Sequence, residues 1–135
     1  MPFDNAPDGR FSDIQLLWAA RSRIGDESGW VQTHYSDGDR LCLVAALSVV
    51  SGSRSFNAPN STERRLARLL ADELPDSVPR WARLKLFTAR QRLMWFNDSP
   101  RTKHWDVVAL MTRAINRADS RTPVQVLPMT NEPLA

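Results

Sequence analysis

The chain has 135 residues, 42% of them hydrophobic, which suits one domain with a core of its own and is too apolar for a disordered chain. One cysteine excludes an intramolecular disulfide, no apolar run approaches the roughly 18 residues of a membrane span, and Met1-Pro2-Phe3-Asp4-Asn5 lacks the basic-then-apolar pattern of a secretory leader, so a cytoplasmic protein without membrane contact is expected. The net charge of +3 is unevenly spread: residues 1–39 carry three bases and seven acids, residues 40–135 fifteen bases and eight acids, a balance that favours acidic partners or nucleic acid.

Residues 1–10 are polar with two prolines and read as a loose arm. Ser12 with Gln15 forms a capping box, and Ile14, Leu17, Trp18 and Ile24 share a face, predicting a first helix that Gly25 closes. Residues 26–38, with Gly29-Trp30-Val31-Gln32, form a connection that includes a short extended piece. Asp39 is placed to cap a second helix from Arg40 to Ser51, with Gly52 as its stop. That segment is apolar nearly all round and belongs in the middle of a bundle.

Asn60 and Glu63 open a third helix that runs to Pro75, with Leu66, Leu69, Leu70 and Leu74 inward and Arg64, Arg65, Arg68 and Asp72 outward. A fourth is predicted over residues 80–96 on the stripe Ala82, Leu86, Ala89, Leu93 and Phe96. Asn97-Asp98-Ser99-Pro100 breaks it, with Asn97 in a left-handed conformation and Asp98 or Thr102 capping the next segment. A fifth helix starts near Thr102, with His104, Val107, Val108, Met111, Ile115 and Ala118 on one stripe. The predicted fold is an all-α, compact single-domain bundle of about five helices: arm 1–10, helical domain 11–119, extended C-terminal tail 120–135.

These landmarks resemble an uncharacterised family of small bacterial and phage proteins, a domain of unknown function. Its pattern is a Gly-Trp after the first helix, a Cys opening an Ala/Leu-rich helix, a Trp-Asn-Asp stop, then a Pro, a Thr and a final amphipathic helix. The matches are Gly29-Trp30-Val31-Gln32, Cys42 through Leu47, Asn97-Asp98, Pro100, Thr102 and the 107–114 helix, across residues 14–118; here Phe96 separates Trp95 from Asn97-Asp98. The resemblance implies a helical fold and carries no activity.

Three function classes are weighed on the residues. A non-enzymatic accessory or regulatory protein that binds an acidic protein surface is expected first. Arg80, Arg83 and Arg90 cluster beside Phe87 and Met94, and residues 77–97 hold five bases and no acid. Nucleic-acid binding through Arg64, Arg65, Arg68, Arg80, Arg83 and Arg90 is the alternative, without a helix-turn-helix pattern to name a groove-reading element. A cysteine-dependent hydrolase is the third, with Cys42 in a first helical turn, His104 as base and Asp98 or Asn97 as orienting group. Against it, Leu41 and Leu43 flank Cys42, and free cysteine is usually a buried residue. Cys42, His34, His104 and Asp98 lack the paired spacing of a zinc site, so no metal or cofactor is expected. His104 reads as a core histidine with a satisfied hydrogen bond, and Trp30 with Gln32 as packing groups.

Overall fold

A computed structural model describes residues 9–76, 78 and 87–120. Among them are five α-helices: α1 Gly9–Ile24, α2 Leu43–Ser51, α3 Ser61–Ala71, α4 Ala89–Asp98 and α5 His104–Ser120. A 3-10 turn, Glu27–Gly29, and a two-stranded hairpin, β1 Ser36–Asp37 with β2 Arg40–Leu41, fill the connection between α1 and α2. The mostly helical architecture expected of the sequence is the one observed. The arm to residue 8 and the tail from residue 121 lie outside the described residues.

The core follows most of the sequence stripes; Trp18, expected on the apolar face of α1, is instead 48% exposed. Leu17, Ala20 and Ile24 of α1 are fully buried, as are Leu66, Ala67 and Leu70 of α3 and Val107, Leu110 and Met111 of α5. In α2 every residue from Leu43 to Ser48 is buried, because α1, α3 and α4 all pack against this one short helix. Each buried leucine contributes on the order of 2 kcal/mol of apolar transfer, so α2 is held by its neighbours and not by its own length of nine residues. It ends where expected, at Gly52, whose φ of 74° places the left-handed cap that costs glycine least.

Several boundaries differ from the sequence expectation. Helix α1 begins at Gly9, so Ser12 lies inside it; its first turns are held by the buried Asp13, which accepts from Arg65 of α3 at 2.9 Å. Asp39 does not cap α2. Arg40 and Leu41 pair with Asp37 and Ser36 as strand, and Val31 N donates to Leu41 O, so these backbones are already committed to a ladder. The cap is Cys42, three residues later, with extended backbone and its Sγ accepting from Ala45 N at 3.3 Å.

Asn60 caps α3 as expected, its Oδ1 accepting from Glu63 N at 2.8 Å. Helix α4 does not run unbroken from residue 80. Thr88 is extended (ψ 160°) and shares a reciprocal capping box with Gln91, so a helix starts there afresh. Residues 79–86 lie outside the described residues, and with them Arg80 and Arg83. Asn97 is no left-handed cap; it is helical, 1% exposed and turned into the protein. Helix α5 starts at His104, and Asp106, not Asp98 or Thr102, accepts the Lys103 amide at 2.8 Å.

Candidate functional site

Asn97, the next-to-last residue of α4, joins three segments of the chain. Its Oδ1 accepts from Trp30 Nε1 at 2.7 Å and from Leu43 N at 3.1 Å, and its Nδ2 donates to Val31 O at 3.1 Å and Asp98 Oδ1 at 2.9 Å. All the side chain's main hydrogen-bonding positions are filled, which a buried amide requires. Gln32 Nε2 extends the clasp, donating to the carbonyls of Asn97, Ser99 and Thr102 at 2.9, 2.9 and 3.2 Å. Gly29 is needed just before this loop, since a Cβ there would come 2.6 Å from Arg23 O. The Gly-Trp, Cys and Asn-Asp landmarks therefore meet in one place.

Beyond the clasp the chain strains. Thr33 has φ 64°, unusual for a β-branched residue, and its amide donates to Asp98 Oδ1 at 2.8 Å. Thr33 and His34 stand at the edge of a cavity of about 150 Å³ whose walls are the half-buried Tyr35, Phe56, Met94 and Asp98 and whose deepest members are Cys42 and Asn97. Tyr35 and Phe56 meet edge to face, with ring centres 4.9 Å apart. Burial pushes the Cys42 thiol above the ordinary thiol range; the Ala45 and Val44 amides offset this in part, and the Asp98 carboxylate adds to it.

His104 is not a neighbour of this cavity. Its Nε2 donates to Ile24 O at 2.7 Å and its ring packs on Trp30 at 5.6 Å, as expected of a satisfied core histidine. The structure thus brings Asp98 to Cys42 and takes His104 elsewhere. No group of three His, Cys, Asp or Glu side chains converges as metal ligands do among the described residues.

The basic residues divide as well. Arg90 turns inward: Nε donates to Glu63 Oε2 at 2.7 Å, Nη2 to Phe56 O at 2.9 Å, and the guanidinium lies 4.9 Å from the Phe56 ring centre. Arg65 is drawn to Asp13, whose hydrogen bond holds the guanidinium pKa above its usual value. Met94 belongs to the Cys42 cavity, while Phe87 is exposed just before the Thr88 cap. Arg64 and Arg68 remain exposed on α3 and flank a groove of about 380 Å³ between α3 and the first turns of α4. Arg90 and Arg92 line its other side, and among the described residues no carboxylate lines it.

A family model described as "Family of unknown function (DUF6197)" matches residues 10–117. The chain belongs to this family. The DUF6197 match takes in α1 through nearly all of α5, and therefore both the clasp and the groove. Comparison with curated proteins and with solved structures returns no match. No described helix is long and apolar enough to cross a membrane.

Sequence reasoning did not find the roles of Gln32, Thr33, Phe56 and Glu63. Gln32 belongs to the Gly-Trp landmark, but nothing local shows that it reaches the carbonyls at the end of α4; Thr33 carries no pattern of its own, and Phe56 sits in a loop. Glu63 was read as half of a capping box, a role that the same residue type fills at the same spacing.

Proposed function

We propose that this chain is a non-enzymatic accessory protein that works by docking an acidic protein surface onto the groove between α3 and α4. The observation that carries this reading is the lining of that groove: Arg64, Arg68, Arg90 and Arg92 with no acidic side chain among them. Glu63 offsets the charge of Arg90, whereas Arg64 donates to the uncharged Pro59 O at 2.6 Å and keeps its charge, so Arg64, Arg68 and Arg92 carry much of the available field. Arg92 lines the groove, and its Nε is buried without a hydrogen-bond partner. Arginine forks bind carboxylates through paired N–H groups, and the apolar Pro59 in the lining gives a partner backbone something to rest on. Phe87 stands exposed just before the Thr88 cap beside this groove, and Arg80 and Arg83, outside the described residues, join the reading by sequence alone. A bacterial or phage setting and a cytoplasmic site of action belong to the same reading, from the family resemblance and the single thiol.

The test is titration of a fluorescent glutamate-rich peptide, and separately of a duplex and a single-stranded oligonucleotide, into the protein and its R64E/R68E variant. The peptide is expected to bind the protein at moderate salt and to lose at least tenfold in affinity on charge reversal. Oligonucleotide binding tighter than peptide binding, with affinity falling steeply on a log–log salt plot, would overturn protein docking and favour the nucleic-acid reading.

A further inference from the structure

We infer that the cavity beside Cys42 is a recognition pocket for a cationic side chain, arginine or lysine, carried on an extended segment of a partner protein. Among the described residues its lining holds one carboxylate, Asp98, and no arginine or lysine. Asp98 is half-buried, and among the described residues only one of its oxygens is held in protein hydrogen bonds: Oδ1 takes both the Thr33 amide and the Asn97 Nδ2. A carboxylate oxygen without a protein donor can accept a charge-assisted hydrogen bond from a guanidinium or ammonium. Tyr35, Phe56 and Met94 complete the wall with polarisable groups that suit a guanidinium or ammonium.

Size sets the ligand class. At about 150 Å³ the cavity has room for roughly five waters, the bulk of a side-chain end and well short of a cofactor. The cavity also opens sideways. Met94 and Asp98 are shared with a shallower trough of about 360 Å³ that continues over Trp95, Ser99 and Pro100 at the end of α4. A free amine would fill the cavity and leave the trough empty, whereas a peptide fills both, with its backbone along the trough and one basic residue beside Asp98. This pocket is separate from the arginine-lined groove, and its test stands whatever that groove binds.

The experiment is an amide-resolved NMR titration of the protein with a blocked Ala-Arg-Ala tripeptide and with its citrulline counterpart, a neutral isostere. The arginine peptide is expected to shift the amides of Thr33, Tyr35 and Asp98 and to bind at least tenfold more tightly than the citrulline peptide. Asp98→Asn keeps an oxygen for the Thr33 amide and removes the charge, so it should abolish that preference while the other amides hold their positions. Bound arginine peptide should also slow alkylation of Cys42. Equal binding of the arginine and citrulline peptides by the unaltered protein would overturn the proposal, and that comparison needs no variant to fold. Agmatine binding as tightly as the arginine peptide would overturn the peptide assignment and leave a small-amine site.

Discussion

At the scale of single residues, Cys42 shows how one side chain serves the backbone at the expense of its chemistry. It is 6% exposed, caps α2 through Sγ, and faces the Asp98 carboxylate across the cavity. Burial first and the Asp98 charge last of the raising influences hold the thiol neutral, although the helix amides pull the other way. Because the folded-state value lies above the unfolded one, the resulting stability is fully present below the ordinary thiol pKa of about 8.5 and is lost as pH rises through the raised value. Two outcomes follow: iodoacetamide should label Cys42 more slowly than a free thiol at pH 7.5, and the Cys42→Ser variant should lose less stability than the parent between pH 8 and pH 10. Urea midpoints across that range check the second; parallel losses in the two proteins would refute it.

Among elements, the junction of α2, α3 and α4 rests on a buried charge. Glu63 is 0% exposed, yet its Oε1 accepts from Ser48 and Ser53, both at 2.7 Å, and its Oε2 from Arg90. The pair ties α3 to α4, and through Ser53 and the Phe56 carbonyl it also ties down the 52–60 loop that walls the Cys42 cavity. Removing one member of such a pair leaves the other uncompensated, so Glu63→Leu should cost about 3–5 kcal/mol by urea denaturation. The double variant with Arg90→Met should recover a substantial part of that loss, because two apolar groups remove the stranded charge. A double variant no more stable than Glu63→Leu alone would show that the hydroxyl hydrogen bonds, and not the ion pair, carry the junction. Sequence reading placed Glu63 correctly as the third residue of α3 and misplaced its side chain. The capping-box pattern is local, whereas the partners that win Glu63 come from residues 48, 53 and 90.

Across the whole molecule, the polar clasp at Asn97 and the apolar core act on the same set of elements. Trp30, Leu43 and Asn97 are all buried and lie on the loop after α1, the start of α2 and the end of α4. Replacing Asn97 with alanine removes four side-chain hydrogen bonds and strands the Trp30 and Leu43 donors. A loss of roughly 2–4 kcal/mol is expected at two stranded donors of about 1–2 kcal/mol each. One core links all five helices, so the loss should appear as a single transition shifted equally in tryptophan fluorescence and far-UV circular dichroism. Separate transitions by the two probes would mean that the clasp holds only its own loop.

What the sequence determined by itself is the repeating pattern of neighbours three or four residues apart. The apolar stripes of α1, α3 and α5, the all-round apolar α2, the Asn60 cap and the Gly52 stop are local regularities, and the helical bundle follows from them. The tertiary structure alone decided where polar side chains spend their hydrogen bonds. Leu41 was drawn into a ladder with Val31, which delayed α2 to Leu43. Asn97 left the turn chemistry that its Asp-Ser-Pro surroundings suggest because Trp30 and Leu43 needed an acceptor. Arg90 left the basic face for Glu63, and His104 turned to Ile24 and away from Cys42. Burial raises the cost of an unmet donor or charge above any local preference, and only the folded chain shows which donors are buried together.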